Sequence, residues 1–213
     1  MPDRSVRLGV TLALAQGVFL AAPATVRAEA QRFVLDPQKS RVVVHVGKAG
    51  LFKFAGHEHE VVAPLQEGEV VADAADLGRS SVRLVFDAAS LRLDATHEPP
   101  DDAAKVQETL TGPTVLDAAR FTRIVFQSDK VSGRELPKGV FELAVSGLME
   151  IRDHKERLNL TVRVETPGGT LVATGTAPLR QSDFGIVPVS VAGVVKVKDE
   201  LSVEFRFEGR PPP

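Results

Sequence analysis

Two histidines two residues apart, His57 and His59, are the sharpest chemical feature of this 213-residue sequence. On a strand, side chains two apart project to the same face, and a pair of imidazoles placed so suits zinc, copper or nickel. A third ligand would have to come from His45, His97, Asp101 or Asp102, and no fixed spacing selects one of them. Without it the pair reads as surface or hydrogen-bonded histidines, so no metal site is assigned. A metal-binding or stress-response role built on the pair is the first alternative reading. His59-Glu60-Val61-Val62-Ala63 opens like a zinc-protease helix motif but lacks the second histidine.

Other reactive chemistry is sparse. The absence of cysteine excludes disulfides, thiolate catalysis, iron–sulfur ligation and cysteine-type zinc sites together. The sequence has no Gly-x-Ser-x-Gly nucleophile elbow, phosphate loop or dinucleotide fingerprint. Glu98, Asp101 and Asp102 form an acidic cluster, which beside Pro99-Pro100 reads as a solvated helix cap. Arg180 and Asp183 have two readings, as holders of a ligand head group or as ties between a strand end and the Gly185 turn, and the second is preferred. No enzymatic activity and no cofactor are therefore assigned, and an enzyme with an unrecognised site is the second alternative. The formal net charge is -2 with the basic residues scattered, which leaves no footprint for a nucleic-acid backbone.

Residues 1–30 read as a secretory signal peptide. Arg4 and Arg7 make a basic start, an apolar stretch from Leu8 to Ala22 follows, and Ala28-Glu29-Ala30 supplies a small-x-small cleavage site. The apolar stretch is too short for a comfortable membrane span. Residues 31–213 then form one domain with no transmembrane segment, and a homodimer stays open.

Beyond residue 30 the pattern has period two, as in strands with one wet and one dry face. Leu201, Val203, Phe205 and Phe207 alternate with Ser202, Glu204, Arg206 and Glu208. Leu158, Leu160, Val162 and Val164 form a second row, and Phe141, Leu143 and Val145 a third. Val82, Leu84 and Phe86 form a fourth, and Val42, Val44 and Val46 a fifth. Such rows need a shared apolar interior, and the amphipathic helices of a parallel α/β fold are missing. Turn residues at Asp36–Ser40, Leu136–Gly139 and Pro167–Gly169 divide the strands, and Gly147 inside a strand reads as a bend or bulge. One short helix is expected between Pro99 and Gly112-Pro113, capped by Asp101 and Asp102, with a further turn at Val115–Ala118. The fold expected is all-β: an antiparallel β-barrel of about eight strands, with a β-sandwich equally compatible with the alternation.

Candidate interior positions are Val42, Val44, Phe86, Phe141, Leu143 and Val145, followed by Leu160, Val162, Val203, Phe205 and Phe207. With no Trp and no Tyr, and 11 Phe, these positions have few bulky rings to fill the centre, which leaves room in it.

The chain resembles the YceI-like family in the order of several segments. These are Phe33-Val34-Leu35-Asp36 with Ser40, the strand from Arg41 to Val46, Gly56, and Val115-Leu116-Asp117-Ala118-Ala119-Arg120-Phe121 running on to Phe126. The Gly147-to-Arg152 bend follows, and the most specific stretch is Arg180-Gln181-Ser182-Asp183-Phe184-Gly185-Ile186 before a final strand. Two departures are Phe33, where the family usually opens with Trp or Tyr, and the histidine-rich Gly56-His57-Glu58-His59-Glu60-Val61. The resemblance implies a lipocalin-like barrel in the bacterial periplasm whose apolar interior takes a polyisoprenoid or similar long-chain lipid, and the candidate interior positions then become the ligand-binding ones. Burial of each methylene of such a chain gains about 0.8 kcal/mol, so shape and dryness can carry affinity with few polar contacts. N-terminal sequencing of the exported protein is expected to begin at Gln31, and recovery of Met1 on the exported chain would contradict the leader.

Overall fold

A one-sided apolar strand can hide its dry face only against other such faces, and a sheet that curls until its first and last strands meet does this for all of them. The computed structural model describes residues 30–49, 59–97, 100–191 and 195–213. Residues 1–29 of the proposed leader, Gly56, His57, Glu98 and Pro99 lie outside the described residues, as do the side chains of His97, Asp101 and Asp102.

Eight antiparallel legs make up the sheet, and the first three are each broken in two. β1 (Gln31–Leu35) and β2 (Arg41–Ala49) form the first, β3 (His59–Val62) and β4 (Leu65–Ala72) the second, β5 (Ser81–Asp87) and β6 (Arg92–Leu93) the third. β2 pairs with β3 and β1 with β4, while β4 pairs with β5 and β3 with β6. Helix α1 (Pro100–Thr111) follows, and then β7 (Arg123–Leu136), β8 (Val140–Ile151), β9 (His154–Glu165) and β10 (Leu171–Arg180). β11 (Ser190–Val191) is a short addition beside the start of β12 (Val195–Arg210), the eighth leg.

β12 returns to the first leg along its whole length. It pairs with β2 from Lys196↔Ala49 to Arg206↔Arg41 and with β1 at Leu35↔Gly209 and Val34↔Arg210. That closure decides for the barrel and against the sandwich. Every other long pairing joins legs adjacent in sequence, an up-and-down order.

The turns fall where their residues require. Asp36 accepts from the N–H groups of Gln38, through its carboxylate, and of Ser40, through its carbonyl, which breaks the first leg between β1 and β2. Lys138 and Gly139 both take positive φ in the reversal between β7 and β8. α1 begins at Pro100, so Asp101 and Asp102 fall inside its first turn and not at the cap, which still places them favourably for the helix dipole. The expected extra turn at Val115–Ala118 is not helical. The Leu116 N–H donates back to the Leu110 carbonyl and Ala118 to Thr111, closing the helix end.

β6 has one strand neighbour among the described residues, β3. Gln107 of α1 serves its other edge: its amide oxygen accepts from the Leu93 N–H at 2.8 Å and its amide nitrogen donates to the Leu91 carbonyl at 3.0 Å. A helix is thus fastened at the gap between the third and fourth legs, where a strand ladder would otherwise run.

Gly147 sits opposite a bulge, where the β7–β8 register shifts between Ser128 and Lys130. The bulged Asp129 reaches across β8 to Arg157 on β9 with two parallel bonds of 2.9 and 2.7 Å. The Arg157 guanidinium holds the Asp129 carboxyl below the usual carboxylate range. A Cβ at Gly147 would stand 2.4 Å from the Gln127 carbonyl oxygen and 2.7 Å from the Ser128 Cα, so the two backbones approach too closely for any side chain. Gly147→Ala is expected to destabilise the protein by about 1–3 kcal/mol in denaturant unfolding. Gly139→Ala meets nothing within 4 Å and should cost only its left-handed φ, about 1–2 kcal/mol. A smaller loss at Gly147 than at Gly139 would show that the bulge tolerates a side chain.

Candidate functional site

The barrel is hollow. Its interior holds a cavity of ≈ 1080 Å³, just above the range of about 300–1,000 Å³ usual for small-molecule sites. All eleven interior positions expected from the alternation line it: Val42, Val44, Phe86, Phe141, Leu143, Val145, Leu160, Val162, Val203, Phe205 and Phe207. Each occupies the inward set of its strand, and Phe205 and Phe207 stack with ring centroids 5.4 Å apart.

The lining extends well beyond those positions. Val46, Leu84, Leu158 and Leu201 belong to the same rows and line it too. β10 adds Leu171, Ala173, Ala177 and Leu179, whose alternation in the sequence is blurred by Gly175 and the threonines beside it. Gly175 leaves its inward place to an aromatic ring: a Cβ there would stand 2.6 Å from Cζ of Phe205. α1 turns Lys105, Val106, Thr109 and Leu110 to the cavity, a face that the strand pattern does not foretell.

The two ends differ. At one, Asp73 is almost wholly buried and accepts from the N–H groups of Ala75 and Asp76 at 3.1 and 2.9 Å, with Arg79 3.5 Å away. The other end is built by the Arg180–Ile186 stretch. Phe184 and Ile186 are buried and close on the cavity. Gly185 takes φ 66° beside the His154 ring, which a Cβ would meet at 2.6 Å. His154 itself is exposed and pairs with Asp153 at 2.8 Å.

Arg180 engages Asp199 at 3.3 Å and Glu200 at 3.5 Å, and not Asp183. The tie it makes is therefore between β10 and β12, with Asp199 as the partner that sequence reasoning missed. No spacing reveals that residue, because it lies a strand away and 19 positions on. Ser182 completes the knot: its hydroxyl and its N–H donate to Asp199 at 2.6 and 2.8 Å. The buried Gln181 donates to the Lys198 carbonyl at 2.7 Å.

His59 lines the cavity, and its side chain is half-buried. His45, one step along β2 from the partner of His59, faces the other side of the wall, between Glu60 at 3.3 Å and Glu204 at 3.6 Å. Among the described residues no group of three or more His, Asp and Glu stands close enough to hold a metal. Nor, among them, is any helix long and apolar enough to cross a membrane.

A closed up-and-down antiparallel barrel around one large apolar cavity is a lipocalin-like barrel. The chain belongs to the YceI-like domain family, whose model matches residues 33–209. Solved structures share the fold at low identity. BcnA of Burkholderia cenocepacia superposes with a TM-score of 0.63 at 20% identity, covering 82% of this chain and 98% of that one. A polyisoprenoid-binding domain of Saccharophagus degradans, implicated in plant cell wall breakdown, gives 0.56 at 8% identity over 84% and 98%. The YceI protein of Campylobacter jejuni, in a mutant form carrying a monobromobimane guest, gives 0.52 at 12% identity over 71% and 85%. No curated protein sequence matches the chain.

The Ser182 hydroxyl first, then the Ser182 N–H, and then Arg180 hold the Asp199 carboxyl below the usual carboxylate range, with partial burial pulling the other way. A carboxylate whose pKa is lowered in the folded state contributes stability that is fully present above its unfolded value, about 3.9, and lost as the pH falls through the lower folded value. Asp199→Asn should therefore lower the thermal midpoint at neutral pH, and the gap to the parent should narrow as the pH falls below about 3.9. A gap independent of pH would show that Asp199 acts by packing alone.

Proposed function

We propose that the protein is exported to the periplasm and holds a polyisoprenoid or similar long-chain lipid inside the barrel. The observation that carries this reading is the cavity of ≈ 1080 Å³ walled mainly by Val, Leu, Ile, Phe and Ala. An apolar space of that size gives up water readily to a hydrocarbon, and each methylene transferred gains about 0.8 kcal/mol. The eleven inward positions from Val42 to Phe207 are the proposed contacts of the chain. The family supports the reading, as does a fold shared with a domain that is described as polyisoprenoid-binding. The ligand enters as cargo and the barrel does not alter it, which is the binding role proposed in place of catalysis.

Val162 is the place to test it. It points inward from β9, between Leu143 on β8 and Gly175 on β10. Val162→Phe in a filled core would overpack it, at about 1–3 kcal/mol. In a cavity the ring takes space that the lipid otherwise occupies. Native mass spectrometry of protein purified from the periplasm should show a retained lipid mass. Val162→Phe should keep near-parent stability and take up an isoprenoid probe more weakly. Strong destabilisation, with no lipid retained and no probe bound by the parent, would overturn the proposal.

A further inference from the structure

Ladders of backbone hydrogen bonds close most of the barrel wall, but the seam between β9 and β10 is laddered over only part of its length. The two strands pair from Val172↔Glu165 to Thr176↔Thr161. Beyond that point β9 runs on to His154 and β10 to Arg180, and no pairing joins them. Each is held there on its other side alone, β9 by β8 and β10 by β12. Pro178, which has no N–H to give a neighbour, stands in this unpaired part of β10, as an edge strand allows.

The chain that follows β10 covers the seam. Its Ser182–Phe184 turn packs against both strands, and the buried Phe184 and Ile186 line the cavity together with Leu158 of β9 and Leu179 of β10. The two margins of this cover are fastened unequally. Toward β12, the Gln181 N–H donates to the Asp199 carbonyl at 3.0 Å and its side chain to the Lys198 carbonyl at 2.7 Å, while Ser182 donates twice to the Asp199 carboxylate. Further on, the Val197 N–H of β12 donates to the Val189 carbonyl at 3.0 Å. Toward β9 stand a long bond of 3.4 Å, from the Arg152 guanidinium to the Gly185 carbonyl, and the packing of Gly185 on the His154 ring. Phe184, Gly185 and Ile186 turn their N–H groups back to the carbonyls of Gln181 and Ser182 at 3.1 Å, so parting from β9 leaves none of these donors unpaired.

We infer that residues 182–186 are a flap hinged on β12, and that the lipid enters and leaves the barrel through the β9–β10 seam when the flap swings away from β9. The inference rests on the lipid reading above. Parting a laddered seam around an apolar chain would strip backbone groups of their partners, at about 1–3 kcal/mol for each group left unsatisfied. Parting this one gives up side-chain packing and one weak bond. The gap beside α1 is fastened more firmly, because the Gln107 amide bonds both a donor and an acceptor of the β6 edge.

The absence of cysteine makes a clean test available. A Cβ at Gly185 would stand 2.6 Å from the His154 ring, so in His154→Cys/Gly185→Cys two unique thiols lie within reach of a disulfide that pins the flap to β9. Exchange of a fluorescent prenyl probe, followed by stopped flow, should be at least about tenfold slower in the oxidised form than in the reduced form, an added barrier of about 1.4 kcal/mol. The equilibrium affinity should stay the same, and the reduced form controls for both substitutions. Phe184→Leu, which puts a smaller side chain in the seam, should release the probe several-fold faster than the parent, with the thermal midpoint read alongside to confirm folding. Equal exchange rates in the oxidised and reduced forms, or a folded Phe184→Leu no faster than the parent, would overturn the flap and leave lipid binding standing. A parent protein that binds no prenyl probe would overturn the lipid reading and the inference with it.

Discussion

Everything inside the barrel depends on the return of β12 to the first leg. This 16-residue strand pairs with β10 on one side and with β2 and β1 in succession on the other. Without that closure, each leg would still have an apolar face, but the first and eighth legs would be open edges and the interior would be wet. With it, the remaining neighbours need only pair in sequence order, so most of the fold is assembled from hairpins.

A closed barrel of eight legs encloses more volume than short aliphatic side chains can fill. Val, Leu and Ala dominate the inward rows, and the inward phenylalanines stand along the wall, with Phe205 resting on Gly175 and stacked on Phe207. The cavity is thus the direct result of closing a sheet whose inward residues are small. The polar groups that the lining does contain lie toward the ends, where backbone turns and ion pairs need them. At one end Asp73 is satisfied by two N–H groups, and at the other Arg180 is held by Asp199 while Gln181 donates to the Lys198 carbonyl.

Alternation made the legs and their inward faces legible. The rows from Val42, Phe141, Leu158 and Leu201 all face the interior, and Gly147 marks a bulge as its setting suggested. α1 was legible in type, though its start shifts to Pro100 and its expected second turn is a hydrogen-bonded closure instead. The contribution of α1 to the lining was not, because helical and strand periods give no common register across the chain. Nor was the partner of Arg180, since Asp183 is close in sequence while Asp199 is close in space.

The amino-acid order by itself determined which face of each strand is dry, where the chain reverses, and that bulky rings would be few. Those are local properties, set by side-chain polarity and by the φ and ψ that each residue tolerates. The choice of barrel over sandwich was left to the tertiary structure, because both satisfy the same alternation and differ only in whether residues far apart in the chain, such as Leu35 and Gly209, become partners. The row formed by Val46, His59 and Leu201 arises the same way: residues from opposite halves of the sequence become neighbours across three strands, and no local pattern records that meeting.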